Sequence, residues 1–165
     1  GLETKDFIQD GSAQTFFGIE RIKPDEPIII VEGEIDALSC REAGQANAIS
    51  VPNGAPLKTS EGNIDPTEDK KFSYVWAANE ILKESPKIII AVDRDGPGKA
   101  LAEELARRIG KTKCFTVEFP EDCKDANDVL LKRGKAELRN LLDDAERSAS
   151  KSPADDVDSP DDDLN

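Results

Sequence analysis

The chain is predicted to be an α/β protein: a four-stranded parallel sheet in the order 2-1-3-4, with helices on both faces. Three observations predict it. The run Ile28-Ile-Ile-Val31 is bounded by Pro27 and Gly33 and leads into Glu32-Gly-Glu-Ile-Asp36. Four aliphatics without a polar alternation read as a strand buried on both faces, as parallel strands are. The run Ile88-Ile-Ile-Ala-Val92 repeats that grammar and ends in Asp93-Arg-Asp95-Gly96. Helical periodicity then follows each strand-like run. Alternation of this kind, four times over, requires right-handed crossovers and a parallel sheet. At 165 residues and 18.0 kDa the chain suits a single domain with a sizeable core.

The elements follow in order. Residues 1–27 read as a lead-in arm whose Phe16, Phe17 and Ile19 cover part of the core, with Pro24 and Pro27 before the first strand. A helix is predicted over Glu34–Ala43, with Ile35, Leu38 and Ala43 as its apolar face and Gly44 as its stop. Asn47–Val51 is a short second strand running into the turn-rich Pro52-Asn-Gly-Ala-Pro56. Lys58–Glu68 is polar and reads as a mobile insertion; Asp69–Glu84 resumes helical spacing, with Tyr74 and Trp76 as packing residues. After the third strand, Ile88–Val92, a helix over Gly98–Ile109 buries Leu101, Leu105 and Ile109. Its Glu103–Arg107 and Glu104–Arg108 pairs read as a solvated face. Lys113–Glu118 alternates and suits a sheet edge. The loop Phe119–Asp128 leads to a short helix over Asp128–Lys132, and Lys135–Arg147 forms a last amphipathic helix. Residues 148–165 lack periodicity and read as a disordered acidic tail or linker.

Composition excludes several chemistries. No histidine is present, which removes Ser/His and Cys/His catalytic pairs, a His base and His-containing zinc sites. Cys40, Cys114 and Cys123 are too few for a four-cysteine zinc site and too scattered for CxxC chemistry. The formal net charge is −13, and −8 of it remains when residues 151–165 are set aside. An acidic body does not grip nucleic acid by charge alone. It suits a pocket filled by divalent cations. No apolar run approaches the ~18 residues of a membrane span.

With the first and third strands adjacent, the switch point of the sheet lies between Glu32 and Asp93. Ligands of open α/β sheets bind at such a point. Strand neighbours lie about 4.8 Å apart, so Glu32, Asp93 and Asp95 can converge. Carboxylates that close repel one another until a cation neutralises them, and hard oxygen donors suit Mg²⁺ or Mn²⁺. Gly33 and Gly96 leave room for backbone and phosphate to approach. Acidic residues after a strand also serve as helix N-caps, and Asp95 or Asp36 taken singly reads equally as a cap.

Val31-Glu-Gly-Glu-Ile-Asp36, Ser50-Val-Pro-Asn-Gly-Ala55, Val92-Asp-Arg-Asp95 and Lys124-Asp-Ala-Asn127 resemble, in order and spacing, the toprim domain. The similarity runs from about Phe16 to Leu142. Within that family the chain resembles the primase half of the phage-type primase–helicases, including the Twinkle-like enzymes of organelles. The resemblance implies a toprim fold and metal-dependent nucleotidyl transfer, the making of short RNA primers on single-stranded DNA. By position, Glu32 matches the family's acid/base or metal-ligating glutamate, and Asp93 and Asp95 match the DxD that holds Mg²⁺ or Mn²⁺. Asp36 matches the aspartate supporting the glutamate, and Asp125 an additional acidic residue at the metal edge; Asp128 reads as an N-cap.

The same resemblance implies further partners: nucleoside triphosphates and template, an upstream zinc-binding module, and a downstream helicase domain reached through residues 148–165. Residues 28–147 would then be the toprim domain, with 1–27 ending an upstream primase subdomain. The fragment by itself is expected to be inactive, and a mitochondrial or plastid location is expected from the Twinkle-like form of the loop. Competing readings are a toprim nuclease or topoisomerase, a receiver-like module and a non-catalytic scaffold. A topoisomerase needs a tyrosine nucleophile, and Tyr74 is the sole tyrosine.

Overall fold

A computed structural model describes residues 14–148. Its strands are β1 (Ile28–Val31), β2 (Ala48–Ser50), β3 (Ile88–Ala91) and β4 (Cys114–Thr116). All pair in parallel in the order β2-β1-β3-β4, as predicted. Register sets Val31 opposite Ala91, so Glu32, one residue on, and Asp93, two residues on, leave the same end of neighbouring strands. β1 and β3 are buried along their whole length.

Helices cover both faces. α1 (Glu34–Glu42), α5 (Ala126–Arg133) and α6 (Lys135–Ser148) close one core over Ile29, Val31 and Ile89. On the opposite face α2 (Ser73–Ala77), α3 (Asn79–Glu84) and α4 (Gly96–Ile109) close a second over Ile28, Ile30, Ile88 and Ile90. Alternate side chains of one strand point to opposite faces, and so each strand feeds both cores. The arm takes part: Phe16 is buried edge-on against Tyr74 at 4.9 Å, and Phe17 bridges Ser50 at the free edge of β2. Residues 1–13 and 149–165, the start of the arm and nearly all of the acidic tail, lie outside the described residues.

Four expectations are corrected. The apolar face of α1 is not Ile35 and Leu38, which are 65% and 51% exposed; Ala37, Cys40 and Ala43 face the core. Small side chains let α1 lie close to the sheet, while Asp36 and Ser39 turn toward α5. The helix expected over Asp69–Glu84 is a 3₁₀ turn, Lys70–Phe72, followed by α2 and α3 with a break at Ala78. Its aromatic and β-branched run, Phe72–Trp76, is a poor helix former.

Glu104 and Arg108 are buried rather than solvated. Arg108 donates to Glu104 at 2.8 Å and to Asp69 at 2.6 Å, and its guanidinium stacks over Phe72 at 3.9 Å. The insertion after Lys58 is therefore anchored: Ser60 donates to Glu104 at 2.8 Å and Arg107 to Ser60 and Gly62. Sequence spacing shows that i,i+4 partners can meet, but not that a loop from another part of the chain will cover them.

The fourth correction concerns the caps. Asp125, not Asp128, caps α5, accepting from the Asp128 N–H at 2.8 Å. Asp95 does cap α4, whose first residue is Gly96, by accepting from the Gly98 N–H at 2.7 Å. Asp36 caps nothing. It lies in the first turn of α1 and accepts from the Asn127 N–H across the helix pair at 3.0 Å.

Candidate metal centre and active site

The carboxyl edge of the sheet collects five acidic residues from three chain segments. Glu32 follows β1, Asp93 and Asp95 follow β3, Asp36 stands one turn into α1, and Asp125 ends the loop before α5. Asp36, Asp93 and Asp125 each present an oxygen, and these oxygens all lie within 4.8 Å of one another. Glu32 adjoins them, accepting from the Asp93 N–H at 3.3 Å.

The geometry redistributes the sequence assignments. Glu32 and Asp93 meet as predicted. Asp36 and Asp125, expected in support, stand with Asp93 in the tightest oxygen cluster, Asp125 while also capping α5; Asp95 caps α4 and lies outside that cluster. Open space surrounds the Cα of Gly96, leaving approach from solvent clear. Gly33 has only the Asp36 carboxylate near it, at 3.4 Å from where a Cβ would stand.

Electrostatics show the strain of collecting like charges. Burial, then the charge of Asp93, pushes Glu32 up to about 7. Burial also pushes Asp36 up to about 6, with Asp125 and Asp93 adding to it and the Asn127 N–H opposing it. Asp93 is raised by burial and by Asp125, while a carboxyl–carboxyl hydrogen bond with Glu32 holds it down. Such a set binds protons near neutrality unless a cation takes their place. All donors are hard oxygens, the preference of Mg²⁺, Mn²⁺ and Ca²⁺. The residues fit the cation.

Three supporting residues were not identified from the sequence. Gly98 packs on the Asp93 carbonyl; a Cβ there would stand 2.0 Å from that oxygen. Its signal was a second glycine inside a helix's first turn, a costly choice unless backbone must pass closely. Arg94 donates from its backbone to Lys124 and from its guanidinium to Pro120. Asn127 ties α5 to α1 through Asp36 and Ser39. Beside Asp93, between α4 and β4, opens a cleft of about 540 Å³ lined by Ile90, Val92, Arg94, Lys99, Ala102 and Phe119. Tyr74, by contrast, is 2% exposed and its hydroxyl is pushed up by burial, which denies it a nucleophile's role.

A doubly wound parallel sheet with clustered carboxylates at its switch point defines a class of α/β proteins built around a divalent cation. The chain belongs to the Toprim-like family, which matches residues 29–130. It is 46% identical over 151 residues to the Twinkle homolog protein, chloroplastic/mitochondrial, of Arabidopsis thaliana, covering 87% of this chain and 21% of that protein. It is 45% identical over 150 residues to the Primase homolog protein of Arabidopsis thaliana, covering 87% of this chain and 44% of that one. The chain thus spans less than half the length of either relative. Among solved structures, the primase fragment of the bacteriophage T7 primase-helicase superposes with a TM-score of 0.55 at 24% identity, over 71% of this chain and 43% of that one. The Aquifex aeolicus primase, comprising zinc-binding and RNA polymerase domains, gives 0.52 at 25%, over 76% and 27%.

Proposed function

We propose that this chain is the catalytic toprim module of a DNA primase within a primase–helicase, joining nucleotides into short RNA primers on single-stranded DNA. The observation that carries the reading is the convergence of Asp36, Asp93 and Asp125 beside Glu32 at the end of β1. Similarity to a Twinkle homolog and to a primase homolog supports the same reading, and with it residence in a mitochondrion or plastid. Residues 28–147 form the toprim domain, residues 1–27 end an upstream primase subdomain, and residues 148–165 lead toward a helicase domain. Template, nucleoside triphosphates and an upstream zinc-binding module engage through the parent protein.

Asp93 and Asp125 would hold Mg²⁺ or Mn²⁺, with Asp36 as the third oxygen donor and Asp95 as a further donor through its uncapped oxygen. When bound, the cation supplies charge neutralisation for phosphate oxygens and lowers the pKa of a nearby hydroxyl. Glu32, poised near neutrality by burial, receives the proton of the attacking 3′-hydroxyl as that oxygen bonds to the α-phosphorus and pyrophosphate departs. Gly98 and the α4 cap hold the Asp93 backbone in place throughout.

The test has two stages. In NMR titrations with Mg²⁺ and paramagnetic Mn²⁺, amides of Glu32–Gly33, Asp93–Gly96 and Asp125 respond together, and Glu32→Gln weakens the response. A parent protein containing this chain then makes primers in a Mg²⁺-dependent reaction that Asp93→Ala abolishes. A response confined to residues 148–165, or none, would sink the proposal.

A further inference from the structure

We infer that Arg94, the residue between the two aspartates of the DxD turn, is a positioning residue that straps the Asp125 loop against Asp93 and so assembles the metal cluster. The inference rests on the proposed metal site. Asp125 reaches that site from a loop without regular structure between β4 and α5. One of its oxygens stands within 4.8 Å of one from Asp93 and one from Asp36, and the mutual repulsion of these carboxylates pushes outward on the loop against the pull of the exposed Lys124 ammonium, 3.7 Å from Asp125.

Arg94 opposes that push at two points. Its backbone N–H donates to the Lys124 carbonyl at 3.1 Å, one residue before Asp125, and its Nη1 donates to the Pro120 carbonyl at 3.2 Å. Pro120 in turn accepts from the Cys123 N–H at 2.9 Å, closing the turn that aims the chain at Asp125. The other flank is held from α1, where Asp36 accepts from the Asn127 N–H. The side chain of Arg94 is spent on a carbonyl rather than on a carboxylate of the cluster, so it acts on the site's shape. Holding ligands in their bound geometry before the cation arrives raises affinity by removing the cost of ordering them.

This role predicts an effect opposite in sign to that of charge. Removing a cation beside an acidic cluster would, by Coulomb attraction alone, tighten divalent binding. Removing a strap loosens it. The backbone bond survives substitution, so one exposed hydrogen bond is at stake, and Arg94→Met should weaken Mn²⁺ binding about three- to tenfold. Arg94→Gln keeps an uncharged donor, shorter by two bonds, and should recover part of that loss.

The experiment measures Mn²⁺ affinity of the wild-type, Arg94→Met and Arg94→Gln chains by calorimetry, with amide hydrogen exchange of residues 121–127 recorded free of metal. Expected are weaker binding and faster exchange in Arg94→Met, both partly restored in Arg94→Gln, at an unchanged thermal midpoint. Equal or tighter binding in Arg94→Met, or equal weakening in both variants with exchange unchanged, overturns the strap. A wild-type chain that takes no Mn²⁺ overturns the metal reading instead, and the metal-free exchange still decides whether Arg94 holds the loop.

Discussion

Glu32 and Asp36 hold their protons more tightly in the fold than in the open chain, at about 7 against 4.5 and about 6 against 3.8. An acid raised by folding contributes stability that is present below its unfolded value and lost as pH rises through its folded one. The metal-free chain should therefore melt at lower temperature as pH climbs from about 4 to about 7. Thermal melts with chelator check this, and Asp36→Asn should flatten the acidic half of the slope. Divalent affinity should move the other way across the same window, because the cation must displace those protons. Gly98 offers a residue-scale test of another kind. The Cβ of Gly98→Ala would lie 2.0 Å from the Asp93 carbonyl, so the start of α4 or the DxD turn must shift. A loss of roughly 2 kcal/mol is expected in denaturant melts, together with weakened metal binding.

Among the elements, α4 carries a buried ionic network and α1 an exposed apolar stripe, each the reverse of what spacing alone suggests. Glu104→Ala would leave the Arg108 guanidinium, 8% exposed, with Asp69 as its remaining carboxylate and would release Ser60. Breaking one partner of a buried pair is costly, and a loss of about 3 kcal/mol in chemical denaturation is expected. Ile35→Ser and Leu38→Ser, on the exposed face of α1, should change stability by less than about 0.5 kcal/mol in the same assay. Leu101→Ala, in the core under α4, should cost about 2–5 kcal/mol. A larger cost at Ile35 than at Leu101 would contradict the packing described for α1.

For the whole molecule, metal binding and stability are linked. A cation that binds the folded chain alone stabilises it by about 2.7 kcal/mol at a hundred times its dissociation constant. Adding Mg²⁺ should raise the thermal midpoint with the logarithm of its concentration once that exceeds the dissociation constant. Asp93→Asn should raise the metal-free midpoint, by relieving repulsion with Asp125, and abolish the gain from Mg²⁺. Both effects are read from melts with and without the ion. If Asp93→Asn still gains from Mg²⁺ as the wild-type chain does, the centre lies elsewhere.

The sequence by itself determined the sheet and the edge that matters. Runs such as Ile28–Val31 and Ile88–Ala91 have no polar face to offer water and so read as interior parallel strands, whose carboxylate ends lie together because the two strands are neighbours in the sheet. It also announced the Asp125 loop through its likeness to toprim proteins. Which carboxylates share a cluster was settled by packing. A capping aspartate and a cluster aspartate are the same residue type at the same place in the chain, and Asp125 is both while Asp95 is only the first, because the neighbours of each fix where its second oxygen lies. Burial of Glu104 and Arg108 and exposure of Ile35 were likewise illegible, because each depends on a segment distant in sequence: the loop around Ser60 in one case, the approach of α5 in the other. Periodicity reports how a helix divides its own residues between faces, and the rest of the chain decides which of those faces is covered.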